Sequence, residues 1–324
     1  MSKKSTILTS PHKDTYKLRN WSDYNKTLES RGNITLWLSD RLLRVWSDVP
    51  KKKVVGEQQY PDCVIEACLI IGKVYKQKLR QTVGFVKSML RLAGYGDLAV
   101  PDYTTLNRRQ GVLSVEVSRR LSGKEKLHIG IDSTGLKVYG EGEWKVRKHG
   151  HSKRRTWQKL HIGIDIDTQE IVLVKLTSNS IDDAAAGRVM LEGHEGKLKK
   201  FSGDGAYDDF SFREVLGKDV IQVIPPPCDA VVQKGTKKKP VPDYLAQRDE
   251  AVRYINEHDR KDWKVKMGYH KRSRNETVMF RYKGNFDGTL EARTEKNQTT
   301  EVNIKCKILN VFRRLGKPAA YKAA

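Results

Sequence analysis

The chain has 324 residues, of which 38% are hydrophobic and 31% are charged. This length exceeds that of one average domain and suits two, and the hydrophobic content is low but sufficient for a packed core. Lys and Arg number 62 against 39 Asp and Glu, giving a formal net charge of +23. A charge of this size indicates a polyanionic partner such as nucleic acid.

Membrane insertion, zinc binding and disulfide formation find little support in the sequence. No apolar run approaches about 18 residues, and the N-terminus has no apolar signal core, so we expect a cytoplasmic protein without a membrane segment. The four cysteines, at positions 63, 68, 228 and 306, have no C-x-x-C spacing. Free, buried thiols are therefore expected. His149 and His151, in a basic loop, make a weak metal pair.

The first 122 residues are predicted to be mainly helical. A short helix begins at Trp21, and residues 34–39 are ambiguous between strand and helix. Helices follow behind Pro61 and over 79–92, and a short basic helix opens after 101 with Asp102 or Thr104 as its cap. Segment 79–111 is therefore helix-turn-helix-like, although its turn is longer than usual, and DNA recognition is predicted for exposed Asn107, Arg108 and Arg109. An ordinary helical bundle with a basic face is the alternative.

Strand patterns dominate residues 124–227. We predict strands over 126–132, 157–165 and 170–176, then a helix over 181–192, a strand over 199–202, a helix over 211–216 and a strand over 220–224. Two acids end apolar runs: Asp132 closes 127–132 and Asp204 closes 199–204. Carboxylates at the tips of parallel strands point into the crevice where open α/β sheets bind ligands.

Other polar residues of this region receive simpler interpretations. Several pairs of neighbouring aspartates, named below, are explained by helix capping or by a turn. Ser133 has no His positioned by the sequence to activate it. Trp144 suits base stacking, although such a tryptophan more often packs internally. The competing acids are Asp165 and Asp167 in a hairpin turn, Asp182, Asp183, Asp208 and Asp209 at helix starts, and Glu141 and Glu143 in a Gly-rich loop.

The last third of the chain begins with a basic, Gly- and Pro-containing insertion over about 228–248, which suits phosphate contact or simply a solvated loop. A helix is predicted over 244–259. An amphipathic helix is predicted over 299–315, with an apolar stripe facing the core. Its outward-facing side chains are predicted to be Lys305, Lys307, Arg313 and Arg314.

A polar segment over 269–283 places four functional side chains on one predicted helix face. At about 100° per residue their directions are about 0°, 300°, 340° and 320°, within an arc of roughly 60°. In order they are Tyr269, Arg272, Glu276 and Lys283. One acid among three groups able to bind phosphate indicates a metal and nucleic-acid site. A surface stripe with an internal ion pair explains the spacing alone equally well.

This segment, with the two earlier acids, resembles the DDE transposases of bacterial insertion sequences, in the IS-five type group. The signature Tyr-x2-Arg-x3-Glu-x6-Lys is matched at every spacing, and Asp132 and Asp204 stand in the places of the other two acids. The resemblance extends over most of the chain. It implies an α/β fold: a ribonuclease H-like catalytic domain with a mixed sheet and helices over 123–324, preceded by an α-helical DNA-binding and dimerisation region over 1–122.

The same resemblance implies the chemistry. Asp132, Asp204 and Glu276 would be catalytic and hold Mg²⁺, with Mn²⁺ as the alternative ion, while Tyr269, Arg272 and Lys283 would bind DNA phosphates. The partners would be double-stranded DNA, as terminal inverted repeats and target, and a second copy of the chain in a synaptic complex at the nucleoid. The alternatives are a catalytically silent DNA-binding repressor and a stand-alone metal-dependent nuclease.

Overall fold

The computed structural model describes residues 16–50, 59–138, 157–236, 238 and 240–322. Within these ranges the chain forms a mixed sheet covered on both faces by helices. None of the helices described is long and apolar enough to cross a membrane.

Helices dominate the N-terminal region, as its sequence predicts. The elements are β1 (Tyr16–Leu18), α1 (Trp21–Ser30), a 3-10 turn (Ile34–Leu36), α2 (Asp40–Ser47), α3 (Asp62–Val74), α4 (Leu79–Leu92) and α5 (Tyr103–Gln110). Asp102 is the cap of α5, because its carboxylate accepts hydrogen bonds from the backbone amides of Thr104 and Thr105. Helices α4 and α5 follow one another with ten residues between them, more than the three or four of a helix-turn-helix.

Five strands form the main body of the sheet, in the order β4-β3-β2-β5-β6. They are β2 (Leu127–Val138), β3 (Trp157–Asp165), β4 (Glu170–Ser178), β5 (Leu198–Ser202) and β6 (Ile221–Val223). The pairs β2–β3 and β3–β4 are antiparallel, whereas β2–β5 and β5–β6 are parallel. The predicted order of three strands, helix, strand, helix and strand is present.

The remaining elements lie on the sheet or extend it. They are α6 (Asp183–Leu191), α7 (Phe210–Leu216), α8 (Ala246–Glu257), α9 (Arg260–Met267), a 3-10 turn (Tyr269–Arg272), α10 (Ser273–Phe286), β7 (Thr289–Leu290), α11 (Glu295–Leu315) and β8 (Ala320–Lys322). The short strand β7 pairs with the end of β2, and β8 pairs with β1, so the two described ends of the chain meet. No helix or strand occupies the described residues of 228–242.

Each face of the sheet has its own hydrophobic core. Odd-numbered residues of β2, such as Ile129 and Ile131, pack with α6 and α7. Leu136, on the opposite face, joins a larger core with α10, α11 and helices α2 to α5. Side chains of a strand alternate between faces, so even-numbered Asp132 lies on the side of α10 and α11.

Two sequence-based expectations about exposure are wrong. Lys305 does not face outward: it is 3% exposed, 2.7 Å from the carboxylate of Glu301, which itself is fully buried. Cys63 and Cys228 are exposed, while Cys68 and Cys306 are buried, and all four thiols are free. The helix predicted over 244–259 is present within two residues: a 3-10 turn (Asp243–Leu245) leads into α8, which ends at Glu257.

Candidate active site

Asp132 and Asp204 lie at equivalent positions of two neighbouring parallel strands. The register of β2 and β5 pairs Gly130 with Ser202, and each aspartate follows two residues later. Adjacent strands lie about 4.8 Å apart, so both carboxylates emerge at one edge of the β2–β5 ladder. Asp132 was predicted to end its strand, which is wrong: β2 continues to Val138, and it is the β5 pairing that stops before Asp132.

Backbone amides orient both carboxylates. The Asp132 Oδ1 atom accepts a hydrogen bond of 2.9 Å from the amide of Ser133. The Asp204 Oδ1 atom accepts one of 3.0 Å from the amide of Ala206 and caps the 3-10 turn Gly205–Tyr207. Asp132 is mostly buried, with 20% of its side chain exposed, and Asp204 is half-buried. Both acids therefore have a defined orientation on a rigid part of the sheet.

Helix α10 approaches β2 closely at a glycine. A Cβ atom added to Gly130 would lie 2.6 Å from Ile166 Cδ1 and 2.8 Å from Asn275 Oδ1. Asn275 is buried and directly precedes Glu276, so this contact sets the distance between Glu276 and the strand that carries Asp132. Sequence reasoning did not identify this pair, although an isolated glycine inside an apolar strand is a known sign of close backbone approach.

The turn before α10 changes the predicted geometry of the signature segment. The segment is a helix start followed by helix, as predicted, but the start is a separate 3-10 turn: α9 ends at Met267 before Gly268, which has φ of 66°, the turn holds Tyr269–Arg272, and α10 starts at Ser273. Glu276 and exposed Lys283 lie two helical turns apart on the same side of α10.

Arg272 joins two of the three predicted acids. Its Nη1 atom donates to Asp132 Oδ2 over 3.3 Å, and its Nη2 atom donates to Glu276 Oε1 over 2.6 Å. The same guanidinium carbon lies 5.8 Å from the centre of the Tyr269 ring. The structure thus brings Tyr269, Arg272 and Glu276 into one cluster with Asp132, whereas Lys283 lies further along α10.

The carboxyl groups of the cluster lie close enough together to affect the pKa of Asp132 and of Arg272. Burial raises the pKa of Asp132 above its ordinary value, and the negative charges of Asp204 and Glu276 act in the same direction, against the Ser133 amide and Arg272. Burial disfavours the charged form of Arg272, but Tyr269 and the three acids raise its pKa overall. The cluster therefore favours a bound cation, and here the guanidinium supplies that charge.

The donor types suit a hard divalent cation, because Asp and Glu provide the oxygen ligands that Mg²⁺ and Mn²⁺ prefer. Among the residues that the structure describes, no group of three or more His, Cys, Asp or Glu is arranged to hold a metal ion. Arg272 contacts Asp132 and Glu276 from between them, so a metal shared by these acids requires the guanidinium to leave.

The N-terminal candidates have different environments. Arg108 is exposed, and Asn107 is exposed but accepts hydrogen bonds from the Asn297 amide. The predicted exposure of Arg109 is wrong: it is 6% exposed, donates to the carbonyl oxygen of Tyr60 and forms an ion pair with Asp62. Arg109 thus anchors α5 to the start of α3.

Most competing acids have the structural roles predicted for them. Asp182 caps α6 and Asp209 caps α7, and Asp165 binds the Thr168 hydroxyl in the β3–β4 turn. Asp208 differs, because it is an ion-pair partner of both Arg213 and Arg248 rather than a cap. Asp167 forms an ion pair with Lys199, and Asp183 forms one with Lys159. Five other sequence candidates lie outside the described residues: Glu141, Glu143, Trp144, His149 and His151.

Comparison with known proteins identifies the family. Residues 123–311, more than half of the chain, match a family model described as a transposase DDE domain, and residues 29–141 match a second model with that description. The cryo-EM structure of a piggyBac transposase synaptic complex with hairpin DNA is similar over 88% of this chain and 82% of that chain, at 11% identity and a TM-score of 0.28. The enzymatic class of the matched family is DNA transposase, and this chain belongs to the DDE transposases.

Proposed function

We propose that this DDE transposase belongs to the IS-five type group of insertion sequences. It binds the terminal inverted repeats of its element, cleaves the DNA at the element ends and transfers the 3′-hydroxyl ends to target DNA. The arrangement of the three acids supports this proposal best. Asp132 and Asp204 each lie two residues beyond the last paired residues of β2 and β5, and Arg272 links Asp132 to Glu276.

In this proposal Asp132, Asp204 and Glu276 hold Mg²⁺, or alternatively Mn²⁺. Bound there, divalent ions would stabilise the attacking and leaving oxygens of a phosphodiester displacement. Asp132 would be the central ligand, since it lies in the sheet between Asp204 and the helix of Glu276. Burial is the main cause of its raised pKa, and the negative charges of Asp204 and Glu276 act in the same direction. The three acids are oriented from two strands and a helix, so the protein presents its ligands at low conformational cost.

Arg272 has two proposed partners in succession. Without DNA its guanidinium neutralises Asp132 and Glu276. With DNA bound, a backbone phosphate attracts the guanidinium, which forms bidentate bonds to phosphate oxygens. Tyr269 stays beside it, and exposed Lys283 extends the phosphate contact along α10 as a point charge.

For residues 1–122 we propose recognition of the terminal repeats and dimerisation, with the segment 79–111 presenting α5 to DNA. Exposed Arg108 and Asn107 are the proposed contacts of α5. Residues 123–324 form the proposed catalytic region. Cutting paired ends requires two active sites, so the working form is a homodimer in a synaptic complex, at the nucleoid of the cytoplasm.

The test is nicking of a duplex that carries the element end, measured with and without Mg²⁺. We expect cleavage only with the divalent ion, and a loss of at least about 100-fold in Glu276→Gln. The matched control is Glu250→Gln, the same chemical change at an exposed position of α8, which should cleave normally. Equal cleavage by the wild type and Glu276→Gln would contradict the assigned site.

Two further outcomes separate the other candidate functions. Specific binding of the end duplex without nicking in either metal indicates a repressor. Nicking without covalent joining of the 3′-hydroxyl end to a supercoiled plasmid indicates a nuclease. We expect joined product from the wild type. Glu276→Gln should still bind the end duplex but should yield no joined product.

A further inference from the structure

A basic pocket lies on the other side of the catalytic helix. Its cavity volume is about 90 Å³, several times the roughly 10–15 Å³ that one water requires. Helices α1, α10 and α11 and the segment after α11 line it. Among the described residues that line it are four cations and no carboxylate; the cations are Arg31, Arg281, Arg313 and Lys317.

This pocket is separate from the carboxylate cluster. Glu276 and Arg281 are five residues apart on α10, which turns them by about 140° around the helix axis. Val278 and Asn285, which line the pocket, face the same way as Arg281. The metal ligands proposed above therefore do not balance the charge of the pocket by direct contact.

The three arginines of the pocket have neutral neighbours rather than acidic partners. In the described part of the chain, none of them has a carboxylate within ion-pair distance. Arg281 donates to the side-chain oxygen of Gln169 over 3.2 Å, and Arg313 donates to the carbonyl oxygen of Thr168. The buried Nε atom of Arg31 has no hydrogen-bond partner among the described residues, and its guanidinium lies 5.4 Å from the Phe312 ring centre.

These cations repel one another. Burial lowers the pKa of Arg281, and the neighbouring charge of Arg31 acts in the same direction, against an opposing effect of Tyr24. Burial also lowers the pKa of Lys317, and Arg313, Arg274 and Arg281 act in the same direction, against Asp165. A bound anion would relieve the repulsion among these positive charges.

The nearest acids are already engaged elsewhere. Burial lowers the pKa of Arg313 despite the opposing charges of Glu170 and Asp165. Glu170 accepts the Ser118 hydroxyl over 2.8 Å, and Asp165 lies 3.3 Å from Arg120. They reduce the positive charge at the pocket without cancelling it.

We propose that this pocket is a phosphate-binding site. Three guanidinium groups and an ammonium offer many N–H donors around a small volume, and planar guanidinium forks match the oxygens of phosphate. The phosphate is either a backbone phosphate of DNA or that of a small phosphorylated compound. The site makes no use of the catalytic acids, so binding is measured without a divalent cation and its outcome is independent of cleavage.

The first arm uses inorganic phosphate and the thermal midpoint of the full chain, with chloride at matched ionic strength as reference. The site variant is Arg281→Gln combined with Lys317→Gln, and the single exposed change Lys317→Gln is the milder second variant. The charge-matched control is Lys218→Gln combined with Lys296→Gln, two exposed lysines outside the pocket. Phosphate should raise Tm by about 2–4 °C in the wild type and control, but clearly less in both site variants.

The second arm uses a duplex of unrelated sequence and measures affinity over a series of salt concentrations. If DNA supplies the phosphate, the salt slope of the site variant falls by about 1 relative to the control. If the slopes are equal while the Tm response differs, a small phosphorylated compound is the ligand. Site variants that match the control in both arms would overturn the proposal.

Discussion

Replacing Gly130 by alanine tests whether the packing of α10 on β2 sets the geometry of the carboxylates. The new Cβ atom would lie 2.6 Å from Ile166 Cδ1 and 2.8 and 2.9 Å from the amide atoms of Asn275. Ordinary contacts between carbon atoms are about 3.5–4.0 Å, so about 1 Å of additional separation is needed. Ile166 Cδ1 is the end of a side chain outside α10, but Asn275 is buried and belongs to α10, so relieving its two contacts requires α10 to move away from the strand.

The expected effect follows from that displacement. Overpacking of this kind costs about 1–3 kcal/mol of the free energy of unfolding. Glu276 follows Asn275 directly, so it moves away from Asp132 by a similar distance. A misplacement of about 1 Å in an active site lowers the rate by up to about 100-fold. Gly130→Ala should therefore lose activity well beyond its loss of stability, with DNA affinity unchanged.

Urea unfolding, end-duplex binding and end cleavage at saturating protein measure the three quantities. Gly284→Ala is the matched control: it makes the same change on α10 itself, where an added Cβ meets nothing within 4 Å. That control should gain roughly 0.5–1 kcal/mol, as alanine replaces glycine inside a helix, and should cleave normally. Wild-type cleavage by a folded Gly130→Ala protein would refute the reasoning.

Three more predictions concern charge. Arg109→Ala should lower the free energy of unfolding by about 1–3 kcal/mol, because the partly buried Tyr60 carbonyl loses its donor and Asp62 loses its ion-pair partner. Arg108→Ala should leave stability unchanged and weaken DNA binding. Urea unfolding and DNA titration distinguish the two variants, and equal effects would contradict the environments assigned to these residues. Burial alone would raise the pKa of Glu291, but the hydrogen bonds and charges of Lys73 and Lys78 lower it to about 2. The ionised Glu291 therefore stabilises the fold fully above about pH 4.5, and this stabilisation is lost as the pH falls towards 2. In Glu291→Gln the free energy of unfolding should fall less steeply over this pH range. The same pH dependence in the wild type and the variant would argue against the ion pairs. DNA affinity should fall by orders of magnitude between about 50 and 200 mM salt, as expected when several phosphates are neutralised, and a flat response would contradict a DNA partner.

Local patterns predicted the elements that depend on local sequence. The bounds of α4 and β3 agree with the structure, because an apolar stripe and strict alternation specify those elements without long-range help. Of the signature residues, Tyr269, Arg272 and Glu276 lie in one cluster with Asp132, whereas Lys283 lies further along α10.

The differences arise where distant partners decide the outcome. Polar residues 133–135 resemble a turn, yet β2 continues through them because β3 and β7 supply backbone hydrogen bonds. Arg109 is buried because Asp62, 47 residues earlier, satisfies its charge. The basic pocket combines residues from position 31 to position 317, so no spacing in the chain could have indicated it.

The central claim is that Asp132, Asp204 and Glu276 share divalent ions. Anomalous diffraction from Mn²⁺ in crystals of the protein bound to its end duplex tests this claim most directly. We expect anomalous peaks within coordination distance of carboxylate oxygens of Asp132 and Asp204, with a further ligand from Glu276 and the Arg272 guanidinium moved onto a phosphate. Peaks located only elsewhere, with Arg272 still joining Asp132 to Glu276, would contradict it.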